Sequence, residues 1–284
     1  MILRGIALGV VILLSLCQPR ALGQEQAELN ALLMKSTFEL RGPAGGGKTT
    51  FGTVFIMGKP IKRNEEPSRS YLVLLTAAHV LDEVLGDKAT LLFHRRKADG
   101  SFKAEPYEIS IRRNGKSLYV RNPNADVAAM YLTIKDEELV PDPVLSMDFL
   151  ATDDRIQLYE LHPGDELLCL GFPAAVDFNS FPVIRSGVLA SYPLTPSKAI
   201  GAYFYNFHVF PGNSGGPVYF SYETRRFGGA LHSGPIQSVL GLVSQQVSST
   251  LPEYQSLEMD VSRIVPSTFI LETINLLPES PSTQ

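Results

Sequence analysis

Tryptophan is absent from the 284 residues, and cysteine appears only twice, at Cys17 and Cys169. So sparse a supply rules out a multi-disulfide framework, and stability has to come from packing. No apolar run approaches the ~20 residues that cross a bilayer as a helix. The formal charge is only −4, which gives no general reason to expect nucleic-acid binding. The five histidines form no HExxH or paired-ligand spacing, so neither a metal nor another cofactor is expected. Internal repeats and low-complexity linkers are also missing. What remains is a folded profile, 44% hydrophobic and 19% charged, long enough to bury a sizeable core.

The N-terminus reads as an export signal. Arg4 supplies a positive start, Ile6–Leu16 is apolar, and Ala21-Leu22-Gly23 places small residues where a signal peptidase reads them. Removal of residues 1–23 would send the chain to the periplasm or outside the cell, with no stable membrane insertion afterwards. Leu16 stands where a lipoprotein box needs a small residue before Cys17, so lipidation is not expected. Losing Arg4 and Arg20 takes the formal charge from −4 to about −6. Cys169, inside "ELLCLGF", is then the lone cysteine and reads as a buried small hydrophobe.

After a polar, then leucine-rich arm at 24–35, short alternating or β-branched segments dominate. Strands are expected near 36–41, 50–58, 70–76, 89–95, 106–112, 127–134, 166–171, 183–190, 202–208, 217–221 and 238–245. A helix is expected over Ser267–Leu277, where Phe269, Ile270, Ile274 and Leu277 share a face. After Val261 only this helix and a tail are expected. The basic clusters "HRRK" (94–97) and "RRNGK" (112–116) sit beside turn residues and read as solvated hairpin ends. The layout is all-β: one domain over 36–280 with two similar halves, roughly 36–140 and 155–265.

One motif points elsewhere. Gly42-Pro-Ala-Gly-Gly-Gly47-Lys48-Thr49 fits G-x-x-x-x-G-K-[ST] at every fixed position. A phosphate-binding loop must open a helix whose N-terminus faces the phosphates. Here "TTFGTVFIMG" comes next, which is β-branched, aromatic and broken by Gly52. That is a strand, and the glycines read as a hairpin turn.

Two other stretches carry chemistry. "YLVLLTAAHVL" puts His79 directly after an apolar strand, and "FHVFPGNSGGPVYF" puts Ser214 in a glycine-rich turn. A serine hydroxyl is a poor nucleophile until an imidazole takes its proton, and that imidazole needs a carboxylate to fix its tautomer. Glycines around Ser214 would let the N–H groups of Gly212 and Ser214 converge as an oxyanion hole. Asp126, in "RNPNADVAAMYL", leads into an apolar strand 47 residues after His79. Asp82, Glu83 and Asp87 lie too near His79 in sequence, and Asp148, Asp153 and Asp154 lie in polar loop text.

These stretches resemble those around the base and nucleophile of the chymotrypsin/trypsin-like serine peptidases, over about Ser36–Leu277. The compact, disulfide-free form is most similar to the bacterial trypsin-like peptidase group. The resemblance implies two six-stranded antiparallel β-barrels with a cleft between them and a short C-terminal helix. It also implies catalytic residues His79, Asp126 and Ser214 and a protein or peptide substrate. "VLGLVSQQV" is similar to the family's G-[IV]-V-S strand, which walls the specificity pocket and pairs with substrate backbone. Ser244 would then contact the acid, and Gln245-Gln246 departs from the usual aromatic-glycine pair. "GFPAAV" and "VIRSGVLAS" resemble the strand pair that leads to the nucleophile loop. His208 falls at the pocket-base position, where trypsin's aspartate is missing, so a preference for Arg or Lys is disfavoured. It could favour acidic or polar side chains, or simply pack inside "FYNFHVF". Asn213 lacks the charge that zymogen-activated members use at that position, so no activation cut beyond leader removal is expected. "GNSGG" also fits the G-x-S-x-G elbow of α/β-hydrolases, but Pro217 and a strand come after it and the triad order is wrong. A catalytically silent or gated member acting as a binding module is the remaining alternative.

Overall fold

The computed structural model describes residues 28–61, 70–173, 181–248 and 258–281. The proposed leader and Cys17 lie outside the described residues, as does part of "GFPAAV". The chain opens on α1 (Leu29–Ser36) and continues through β1 (Thr37–Pro43), β2 (Thr49–Pro60), β3 (Ser70–Thr76), α2 (Ala78–Asp82), β4 (Lys88–Arg96) and β5 (Phe102–Ser110). Short pieces come next: β6 (Arg112–Arg113), β7 (Lys116–Ser117), β8 (Val120–Arg121), β9 (Ala128–Tyr131) and β10 (Leu145–Ser146). The second half holds α3 (Asp153–Leu158), β11 (Glu166–Gly171), β12 (Val183–Leu189), α4 (Ser197–Ile200), β13 (Tyr203–Asn206), β14 (Pro217–Phe227), β15 (Ala230–Ser248), β16 (Glu258–Pro266) and α5 (Ser267–Leu276).

The two halves close differently. The second is a closed barrel in the order β11-β12-β13-β16-β15-β14, six antiparallel strands as expected. The first is an eight-stranded sheet running β5-β4-β1-β2-β3-β9-β8, with β10 parallel to β2. This departs from the expected six-stranded barrel, since no ladder among the described residues joins β8 to β5. The cause is local: β8 is two residues long, and β5 carries Pro106, which has no N–H to donate and suits an edge. The sheet still curls until Tyr107 on β5 donates its hydroxyl to the Thr133 carbonyl just past β9.

Alternation builds both cores. Phe38, Leu40, Val54, Ile56, Val73, Leu75, Leu91 and Phe93 fill the first, and Tyr203, Tyr205, Val218, Phe220, Leu240, Val243 and Ile264 fill the second. The terminal helices reach across. Phe269, Ile270 and Ile274 of α5 bury into the first core although the chain has just left the second barrel. Lys59 on β2 donates to the carbonyls of Ile274 and Leu277, neutralising the negative end of that helix. At the other end, Leu29, Leu32 and Leu33 of α1 join the first core while the Leu29 N–H donates to Gln237 on β15.

The glycines at 45–47 form a single 3₁₀ turn between β1 and β2, with Gly46 and Gly47 at positive φ. Gly52 has a different purpose. A Cβ there would lie 2.3 Å from Val80, so its absence lets α2 settle onto β2. α2 carries His79.

Candidate functional site

A cleft of about 790 Å³ is lined by residues of both halves, His79, Asp126, Ser214, Ser244 and Gln245 among them. His79 is the second residue of α2, which starts as soon as β3 ends. Asp126 sits in a tight turn ahead of β9, where the Asn122 N–H donates to Val127 and the Asn124 N–H to the Asn122 side chain. Its carboxylate is fully engaged. Oδ1 accepts from the His79 N–H at 3.0 Å, and Oδ2 lies 2.7 Å from His79 Nδ1. Oδ2 also accepts from Ser244 Oγ at 2.6 Å. With Nδ1 donating to the carboxylate, Nε2 is the ring's acceptor nitrogen.

The electrostatics follow from this pairing. Burial pushes the His79 pKa down, but the Asp126 bond and charge, with Glu83 and Asp82 nearby, outweigh it and raise the pKa above 6.5. Burial likewise raises that of Asp126, yet hydrogen bonds from His79 and Ser244 bring it to about 2. Near neutral pH the acid is an anion and the histidine is poised to take a proton.

Ser214 lies in a loop that the first half helps to hold. The Asn213 N–H donates to Phe210 and that of Gly216 to Asn213, while Gly215 and Val243 tie the loop to β15. From β2, the Thr53 N–H donates to the Ser214 carbonyl at 2.8 Å, and Thr53 Oγ1 donates to that of Gly212 at 2.6 Å. Thr53 Oγ1 also accepts from the Phe172 N–H, and the Thr53 carbonyl accepts from Thr76, three residues before His79. Gly212 and Gly215 take φ of 98° and 87°, and a Cβ on Gly215 would lie 2.1 Å from Thr76 Oγ1 and 2.2 Å from the Thr53 carbonyl. Among the described residues, the N–H groups of Gly212 and Ser214 donate to no protein acceptor. Ser214 Oγ donates to the Ser244 carbonyl at 3.1 Å.

The structure thus gathers His79, Asp126, Ser214, Ser244 and Gln245 about one cleft, with Gly212 in the loop that carries Ser214. Ser244 is buried against Asp126, at the bulge that interrupts the β15–β16 ladder, and Gln245 is exposed. His208 is placed otherwise. It is not among the residues lining the cleft; its Nδ1 lies 3.2 Å from Asp260 and its ring meets Phe210 edge-on. Arg185 supports that segment, stacking on Phe207 and donating to the His208 carbonyl. Asn213 is buried against Gly171, and its Oδ1 has no hydrogen-bond partner among the described residues. Cys169 is buried as expected, and its thiol is pushed up to about 12. Sequence reasoning missed Thr53, a buried threonine within an apolar strand, and the cleft-lining Arg263 of β16. Among the described residues no cluster of acids, histidines and cysteines could hold a metal, and no helix is long and apolar enough to cross a membrane.

Two antiparallel β halves, a cleft between them and a closing helix make this the chymotrypsin-like class of fold. No protein-family model and no curated protein matches the chain. Among solved structures it is similar to the HtrA-type protease AlgW with a tripeptide, at 17% identity and a TM-score of 0.49, over 86% of this chain and 60% of that one. It is also similar to a serine endoprotease from Yersinia pestis, at 12% identity and a TM-score of 0.48, over 86% and 63%. A third is the protease Anisep from Arthrobacter nicotinovorans, at 17% identity and a TM-score of 0.48, over 86% and 95%. The chain thus spans about three fifths of the length of the first two.

Proposed function

We propose that this protein is an exported serine endopeptidase whose triad is His79, Asp126 and Ser214. The observation that carries the reading is the doubly bonded His79–Asp126 pair, held in one cleft with a serine whose flanking N–H groups are free to donate. In the reaction, Ser214 Oγ turns from the Ser244 carbonyl toward His79 and attacks the substrate carbonyl as Nε2 takes its proton. Asp126 stays ionised and stabilises the imidazolium. The N–H groups of Gly212 and Ser214 receive the oxyanion, where one such donor contributes about 3 kcal/mol. Collapse breaks the C–N bond, and His79 returns the proton to the leaving amine. An ester to Ser214 remains. Water, deprotonated by His79, repeats the sequence and frees the acid product.

Leader removal at residues 1–23 completes maturation in this reading, since Asn213 has no charge to pair with a newly cut terminus. A second reading, a gated or silent binding module, draws on the Ser214 Oγ bond to the Ser244 carbonyl, which points the hydroxyl proton away from His79. A fluorophosphonate probe separates the two. Stoichiometric labelling of residues 24–284, absent from Ser214→Ala and His79→Ala, is the expected result. A folded wild type that takes no label would favour the binding module.

A further inference from the structure

Among the described residues the cleft is lined by five ionisable side chains, His79, Glu83, Arg121, Asp126 and Arg263, and all but one of these are engaged with other described residues. Asp126 holds His79, Glu83 accepts from Thr50 at 2.8 Å, and Arg121 lies 3.1 Å from Asp82. Arg263 makes no ion pair or side-chain hydrogen bond with any described residue. Its direction is set by the barrel. Ser262 and Ile264 on either side are buried, so the alternation of β16 turns Arg263 outward. Its register partners are Gln245 on β15 and Phe204 on β13, giving an exposed row of Gln245, Arg263 and Phe204 across three strands. Gln245 follows Ser244, whose carbonyl holds the Ser214 hydroxyl. A guanidinium with no partner among the described residues therefore stands one strand away from the nucleophile's resting partner, on the wall of the same cleft.

We propose that Arg263 is a subsite for an acidic side chain of the substrate, so that the protein prefers peptides with Asp or Glu near the scissile bond. This inference rests on the endopeptidase reading above. A guanidinium presents a planar fork that matches a carboxylate bidentately, and the same charge repels a substrate lysine. With Glu83 bound at the His79 end and Arg263 at the β15–β16 end, the site also fixes which way an acidic peptide lies. The exposed side-chain amide of Gln245 adds a neutral donor beside the guanidinium.

The test uses fluorogenic peptide sets that differ by Glu, Gln or Lys at one position at a time. Taking the ratio of kcat/KM for Glu over Gln within each variant cancels any change in its overall activity. Wild type is expected to favour Glu about tenfold at one position within four residues of the cut, an exposed site limiting the gain. Arg263→Gln should bring that ratio near one, Arg263→Lys should keep most of it, and Arg263→Glu should turn the preference toward Lys. Equal turnover of Glu and Gln peptides at every position by a protein that takes the fluorophosphonate label would overturn the inference and leave the peptidase reading standing. If the probe labels nothing, binding of the same peptides to Ser214→Ala, followed by fluorescence anisotropy, decides it. Tighter Glu binding that disappears in Ser214→Ala/Arg263→Gln supports the acidic subsite, and equal binding overturns it.

Discussion

The N-terminal half is an open, curled sheet and the C-terminal half a closed barrel, and they contribute to the cleft in different ways. His79 and Asp126 both come from the open half, already paired through two hydrogen bonds that need nothing from the barrel. Ser214 comes from the barrel side, but its loop takes its shape from the open half through Thr53. Ser244 returns the favour by steadying Asp126. Neither half is therefore sufficient. The proposed base and acid are thus ordered locally, while the proposed nucleophile and oxyanion donors depend on the two halves being docked. α1 and α5, each bridging the halves from opposite ends of the chain, maintain that docking.

Substitutions can break each side of this comparison, and their expected effects differ in size. Within the open half, Asp126→Asn removes the anion that fixes the His79 tautomer, and kcat/KM should fall about 10⁴-fold while the fold persists. At the junction, Gly215→Ala forces a Cβ into the Thr53 carbonyl and Thr76 hydroxyl at a φ that disfavours alanine. Activity should drop by about a thousandfold, with a lowered melting temperature that Asp126→Asn does not share. Thr53→Val leaves the Gly212 carbonyl and Phe172 N–H without their partner at almost constant volume. A loss of about ten- to a hundredfold in kcat is expected, with KM little changed and Thr53→Ser restoring most of it. An equal loss in Thr53→Ser would mean that the methyl, not the hydroxyl, matters.

Much of this was legible in the residues. The strands at 70–76 and 166–171 fall where alternation and turn residues put them, and the C-terminal helix differs by one residue. The glycine run at 45–47 is a turn and not a phosphate cradle, because the chain leaves it as strand β2 with no helix to face a phosphate. β14 and β15 extend well past the expected 217–221 and 238–245, since Ser221–Phe227 and Ala230–Gln237 pair with each other in a largely exposed hairpin whose polar text hides the strand signal. β16 went unseen for a related reason. Its Glu258, Asp260, Ser262 and Arg263 mask an alternation that only the barrel reveals, and Arg263 was missed with it. Thr53 could not have been picked out, because its importance lies in contacts across 159 residues of chain. His208 shows the converse limit: counting back from the serine located it in sequence, while its ring turned toward Asp260.

The most direct measurement of the central claim is the pH dependence of the rate at which a fluorophosphonate labels Ser214, with the labelled peptide identified by mass. In the proposed mechanism His79 must be neutral to act as the base, and pairing with Asp126 holds its pKa above 6.5. Labelling should therefore rise with pH through a midpoint above 6.5, and that midpoint should move down in Asp126→Asn, which loses the anion. A rate that is flat with pH, or label found on any residue other than Ser214, would contradict a serine activated by the His79–Asp126 pair.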